Sequence, residues 1–327
     1  MNTMNEERRK KGKTAYAVFS EDLTVLTFYY DTQMDERGGL SVGPFGDDDI
    51  RWDGHAADIQ IVIFDASFSQ YVLLESTAHW FDGCSRLKEI QGIENLKTST
   101  VKDMSHMFRS CFSLEAIDVS NFITGNVTNM EGMFKSCSSL KTLDVSMFDT
   151  GKTENFSSMF ESCTSLAKLE LCGLAAEINA LLCITLYDEG FHTDSALNMS
   201  AMFRHCKNLR SLDLCDFNTS QVVCMSDMFK GCSSLETIDL SSFTTNEGQD
   251  MGGMFSGCTN LKTIYVSPSW KTPVPHDCES GMFQGCIHLK GGSGTAYNHR
   301  QSDYLFARID QVGHPGYFTE KDISSEE

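Results

Sequence analysis

The sequence predicts an α/β solenoid: a right-handed stack of roughly 26-residue units, each a short helix followed by a short strand, with a cap at either end. Three observations predict it. One apolar pattern returns along most of the chain, its period changes from helical to extended within each copy, and both flanks lose it.

The clearest copy is Met104, Met107, Phe108, Cys111, Leu114, Ile117 and Val119, closing at Phe122. Further copies centre on Met133-Phe134, Met159-Phe160, Met202-Phe203, Met228-Phe229 and Met254-Phe255, with weaker ones at Trp80-Phe81 and Met282-Phe283. Met104, Met107, Phe108 and Cys111 stand at i, i+3, i+4 and i+7, the spacing of one helix face. Leu114, Ile117 and Val119 then keep the L-x-x-L-x-L spacing of a leucine-rich-repeat strand, with Ile117 and Val119 inward and Asp118 outward. Neither element can bury its apolar face alone. Stacked units can, with neighbouring strands forming a parallel sheet that rises ~4.8 Å per coil, so that eight coils would span about 35–40 Å.

The repeat also accounts for most of the 13 cysteines. Cys84, Cys111, Cys137, Cys163, Cys206, Cys232, Cys258 and Cys286 take one inward position, which reads as a column of free thiols acting as small hydrophobes. The alternatives are cross-coil disulfides, whose geometry is demanding, and a metal ladder, for which a linear column lacks convergence. His276, Cys278, Cys286 and His288 form a local His/Cys cluster, but Cys286 belongs to the core column, so no metal is assigned. Cys172, Cys183, Cys215 and Cys224 carry no motif around them.

Four regions follow. Residues 1–13 are expected to be a disordered tail. Residues 14–77 read as an N-terminal β cap, in which Thr14–Phe19 and Leu23–Tyr30 flank a turn as a hairpin and Ile59–Phe64 is an apolar strand. The solenoid occupies 78–290, and 291–327 form a C-terminal cap and tail. Between Met159 and Met202 the step is 43 residues, so about 17 extra residues fall within 174–198. There Ala175–Tyr187 reads as a short apolar helix, in either a binding loop or an irregular packed coil.

The formal charge of −19, from 45 acidic and 26 basic residues, repels nucleic acid and anionic membrane. There is no basic stripe and no apolar run near the ~18 residues of a membrane helix. There is likewise no G-x-S-x-G, phosphate-cradling loop or H-E-x-x-H. His106 and His205 fall at non-core positions and read as surface residues, and buried cysteines are inert nucleophiles. The chain is therefore expected to be no enzyme and to use no cofactor.

The strand face is the candidate site. Its outward position reads Asp118, Asp144, Glu170, Asp213, Asp239 and then Tyr265, with Lys141, Arg210 and Lys262 beside it. Five carboxylates one coil apart repel one another. Either each Asp accepts backbone N–H bonds where the chain turns, or the column is a mixed charged stripe that recruits a basic partner. The lysines beside the column weaken any case for calcium.

The M-x-x-M-F-x-x-C-x-x-L units, Phe28-Tyr29-Tyr30-Asp31, Phe64-Asp65-Ala66-Ser67-Phe68, Ala307-Arg308-Ile309-Asp310 and Pro315-Gly316-Tyr317-Phe318 resemble the BspA-type leucine-rich-repeat surface proteins of bacteria, whose repeat is of the mycoplasma-lipoprotein kind. The resemblance spans nearly the whole chain. It implies a non-enzymatic adhesion or cell-interaction module whose ligand is a host matrix or cell-surface protein. The net charge of −19 favours a monomer, and self-assembly is the alternative role. It also implies a secreted or surface location. No export signal is legible in the N-terminal residues, so a start at Met1 would instead suggest a cytoplasmic protein.

Overall fold

The fold comes from a computed structural model, described for residues 12–43, 52–172, 191–246, 248–271 and 281–321. Its organising contact is parallel pairing between units about one repeat apart. Ser76, Asp103, Asn129, Asn155, Asn198, Cys224 and Asp250 are joined in that order by parallel bridges, each residue to its counterpart in the next unit. The apolar pattern lies inward throughout: Met107, Phe108, Cys111 and Leu114, like their counterparts in the other copies, are fully buried.

The turn face differs from the expected short helix. Among the described residues no α-helix occurs, and the Met-Phe-Cys segments run as successive tight turns. Backbone N–H groups alternate in destination. Those of Met104, His106, Phe108 and Ser110 donate to Asn129, Glu131, Met133 and Lys135 of the next unit at 2.7–2.9 Å. Those of Met107, Arg109 and Cys111 donate three residues back within their own unit. His106 and Ser110 have φ of 56° and 61°, and Ser136, Ser158, Ser162, Ala201 and His205 also take the left-handed conformation. That conformation breaks the helical path every fourth residue and turns alternate N–H groups toward the neighbour. The inward spacing survives because each tight turn advances the chain about as far around as a helical turn would.

Phe81, Phe108, Phe134, Phe160, Phe203, Phe229, Phe255 and Phe283 stack in one file with centroids 5.5–6.0 Å apart. A second file runs through Phe122 and Phe148, and again through Phe191, Phe217 and Phe243. The expected insertion at 174–198 lies outside the described residues up to residue 190, as does all of its expected helix at Ala175–Tyr187, and Phe191 resumes the file by stacking 5.9 Å from Phe217.

Beside the second file lies an internal hydroxyl column that sequence reasoning missed. Thr98, Thr124, Thr150, Thr193, Thr219 and Thr245 are buried. Thr219 donates to Thr244 O at 2.8 Å and accepts from Thr244 N at 3.0 Å, and Thr98 and Thr193 bridge to the next unit in the same two-way manner. The signal was the F-x-T spacing at Phe122, Phe148, Phe191, Phe217 and Phe243.

The strand side is less regular than expected. One continuous parallel sheet was anticipated, yet among the described residues the strands fall into three sheets. In the first, β1 (Thr14–Phe19) and β2 (Val25–Asp31) form the expected antiparallel hairpin, with β3 (Leu40–Ser41) on the outer edge of β1. β2 then pairs in parallel with β4 (Ile61–Phe64), and β4 with β5 (Glu89–Gln91) of the first unit. The second sheet is β6 (Thr142–Asp144) on β7 (Lys168–Glu170). The third is β8 (Thr237–Leu240), β9 (Thr263–Val266) and β10 (Phe318–Glu320), all parallel. Leu114–Val119 and Leu209–Leu214 hold no strand, and Ile117, expected inward, is only half-buried.

Both flanks pack against the stack. Phe28 stacks on Trp80 at 5.2 Å and on Phe64 at 4.7 Å, and the Trp52 indole N–H donates to Trp80 O. At the far end β10 supplies the strand next to β9, and Phe318 meets Phe255, Phe283 and Trp270 edge-on. Asp310 is buried there: one oxygen accepts from the N–H groups of Ser293 and Thr295, the other from the Thr295 hydroxyl and Gly316 N–H.

Candidate functional site

Each outward aspartate is held by the turn that follows it. Asp118 Oδ1 accepts from Ser120 N at 2.9 Å, Asp144 from Ser146 N at 3.0 Å, Asp213 from Cys215 N at 3.1 Å and Asp239 from Ser241 N at 2.9 Å. An acidic side chain bonded two residues ahead fixes the start of the bend that returns the chain to the core at Phe122, Phe148, Phe217 and Phe243. Glu170, one methylene longer, instead pairs with Lys168 on its own strand.

Asp118, Asp144 and Asp213 are exposed, while Glu170, Asp239 and Tyr265 are partly covered. In the β6–β7 register Asp144 faces Glu170, and in the β8–β9 register Asp239 faces Tyr265, which sets these side chains on one side of their sheets. The Ser120 hydroxyl and N–H hold the Asp118 carboxyl below the usual aspartate range. For Asp239 burial acts upward, but Lys321 and Ser241 outweigh it and the net shift is down. Both carboxylates therefore stay charged at neutral pH.

The flanking basic residues do not neutralise this column as a group. Lys141 pairs with Glu115 of the preceding unit at 2.5 Å and Lys262 with Glu236 at 2.6 Å, forming cross-unit rungs beside the aspartates. Arg210 lies near enough to Glu236 to help hold its carboxyl down, after the larger effect of Lys262. Lys321, from the chain end, meets Asp239 at 2.9 Å. Glu115 and Glu236 were missed by the sequence reading, although each stands 26 residues before its lysine.

The turn face carries a second charged line. Arg109 meets Asp82 at 2.6 Å, Lys135 meets Glu161 at 2.7 Å, and Asp227 receives Arg204 at 3.3 Å and Lys230 at 3.0 Å. Here His106 and His205 depart from the expected surface placement. The His106 side chain is 16% exposed, its ring 4.8 Å from that of His79. Burial, followed by the nearby Arg109, lowers its pKa. The rings of His106 and His205 fold over Gly132 and Gly231 of the next unit, where a side chain would leave no room.

The column cysteines are free thiols. Each from Cys111 to Cys286 donates its S–H to a phenylalanine carbonyl of the preceding unit, as Cys137 does to Phe108 O at 3.1 Å and Cys286 to Phe255 O at 3.0 Å. Burial pushes the Cys163 and Cys258 thiols up to about 12 and raises the others as well, so thiolate chemistry is suppressed. Of the expected His/Cys cluster, Cys286 is buried and His288 exposed, while His276 and Cys278 lie outside the described residues. Among the described residues no helix is long and apolar enough to cross a membrane.

Parallel-stacked units with an inward L-x-x-L-x-L face define a repeat protein of the leucine-rich type. Residues 75–171 and 179–294 match the family described as "Mycoplasma protein of unknown function, DUF285", and the chain belongs to that family. The expected kinship with BspA-type leucine-rich-repeat proteins accordingly holds. Among solved structures, the chain is similar to a leucine-rich repeat protein of T. pallidum, with 18% identity over 75% of this chain and 86% of that one and a TM-score of 0.36. It is also similar to leucine-rich repeat proteins of Bacteroides ovatus (14%, 85% and 80%, 0.34) and Eubacterium ventriosum (13%, 85% and 75%, 0.37). No curated protein matches it.

Proposed function

We propose that this chain is a capped solenoid acting as a non-enzymatic protein-binding module of the adhesion or cell-interaction type. The strand face carrying Asp118, Asp144, Glu170, Asp213, Asp239 and Tyr265, rimmed by Lys141, Arg210 and Lys262, is its contact surface. One observation carries the reading: Asp118 and its counterparts use one oxygen in a turn bond, which fixes the orientation of each carboxylate on its unit. Pre-ordered charges of this kind steer a partner and fix its register with little further ordering cost. The ligand this face suits is a protein with a basic, extended surface, such as a host matrix or cell-surface protein.

The test separates charge from turn. Asparagine keeps the acceptor oxygen and removes the charge, as Asn129 and Asn155 do when they accept N–H bonds two residues ahead. The triple variant D118N/D144N/D239N is expected to melt within about 0.5 kcal/mol of the parent. It should also lose partners that the parent captures at low salt and releases at high salt. Undiminished capture by the variant would overturn the reading. Larger species in sedimentation, with no captured partner, would favour self-assembly.

A further inference from the structure

Cys172 and Cys215 are 43 residues apart in sequence, and their Sγ atoms are 3.8 Å apart. A carboxylate oxygen of Asp213 lies with both thiols in one group whose members are all within 4.8 Å of one another. The Asp216 carboxylate stands near both thiols. Two sulfurs and the Asp213 carboxylate thus meet on the outer side of two neighbouring units, with Asp216 beside them, Cys172 half-buried and Cys215 and Asp213 exposed.

Sequence position makes this meeting specific. The site two residues after the outward acidic position is serine elsewhere, at Ser120, Ser146 and Ser241, and becomes cysteine only in the two units that flank the long step. Asp216 occupies a position held by Asn121, Met147 and Ser242 in other units. Neither sulfur belongs to the buried column, so neither is needed as core filling. The spacing also suits one ligand type. Two thiolates bound to zinc at ~2.3 Å in a tetrahedron stand about 3.8 Å apart, whereas a disulfide needs ~2.05 Å.

We propose that Cys172, Cys215, Asp213 and Asp216 form a binding site for a single divalent cation of the zinc class, clamping together the two units on either side of the long step. The two sulfurs select a borderline or soft cation over calcium or magnesium, and the two carboxylates complete a four-ligand set. On binding, each thiol releases its proton to solvent as the metal–sulfur bond forms, and no electron changes hands. Occupancy should consequently rise with pH. The sequence reading assigned no metal here, because nothing local links two cysteines a long step apart.

The experiment is titration of the reduced full-length chain with Cd2+ alone, followed by thiolate-to-cadmium absorption in the ultraviolet, with Zn2+ alone as competitor. One equivalent should saturate the band, and zinc should displace it. C172S and C215S should each weaken binding by more than ~100-fold, beyond the ~10–100-fold range of supporting residues, and D216N by about 10-fold. C224S, at a half-buried cysteine in a different unit, should leave binding unchanged. Serine already serves this position in other units, so the variants should fold, and thermal melts without metal check this. C172A and C215A give the same readout should a serine variant melt early. Absence of the band in folded, reduced protein, or its survival in the C172S/C215S double variant, would overturn the site.

Discussion

Asp310 shows how one residue can secure a chain end. Its two oxygens take four donors from three residues, Ser293, Thr295 and Gly316, so the turn after the last unit and the approach to β10 share one carboxylate. Burial alone would raise its pKa, but those donors outweigh it and the net shift is down. A lowered folded-state value means the stabilisation is fully present above the ordinary aspartate pKa of about 4 and is lost as pH falls through the lower folded value. D310A should cost about 3 kcal/mol or more in urea denaturation at neutral pH, because charged hydrogen bonds are lost and buried donors are orphaned. D310N should also flatten the acid limb of the stability profile. An unchanged urea midpoint for D310A would contradict this account. The Ala307–Asp310 and Pro315–Phe318 stretches were legible in the sequence as a closing motif, but that Asp310 faces inward was not.

The tight-turn segment is the element in which sequence and structure part. The i, i+3, i+4, i+7 spacing correctly placed Met104, Met107, Phe108 and Cys111 inside, yet it could not distinguish a helix from chained turns, since both carry these side chains to one face. The distinction lies in His106 and Ser110, whose left-handed backbone sends alternate N–H groups to the next unit. Units of this kind complete one another's hydrogen bonds as well as one another's core. The left-handed positions also form files, and their side chains are matched in size. His106 covers Gly132, and a Cβ there would come within 2.4 Å of its Nδ1. Ser158 and Ala201 occupy the same position with positive φ, so backbone strain does not exclude a side chain there. The contact with His106 does. G132A should therefore destabilise by roughly 1–3 kcal/mol, and much of the loss should be recovered in H106A/G132A. Additive losses in the double-mutant cycle would refute the size matching.

At the scale of the whole molecule, the stack is a set of parallel files: phenylalanine, cysteine and threonine inside, aspartate and paired charges outside. The cysteine file makes a measurable claim. With the native chain held reduced, an alkylating reagent should label Cys215 and leave Cys84, Cys111, Cys137, Cys163, Cys206, Cys232, Cys258 and Cys286 untouched. Denaturant should release all eight, as peptide mapping by mass spectrometry would show. Labelling of any file member before unfolding would mean its unit opens locally. The proposed cation site adds a second expectation, since Zn2+ should protect Cys172 and Cys215 from the same reagent.

The sequence by itself determined the unit, its length of about 26 residues, the inward identities and the place where the step lengthens. A repeat prints its packing constraints once per unit, and side chains that must fill one layer recur at one spacing. The outward aspartates were legible too, as was the choice between turn bond and binding surface. Tertiary structure alone decided the rest. Alternate N–H bonding, the two-way threonine bridges, the cross-unit Glu–Lys rungs and the meeting of Cys172 with Cys215 all join residues one unit apart. Each depends on which backbone groups and side chains the stacking brings within hydrogen-bond reach, and no local pattern encodes that distance.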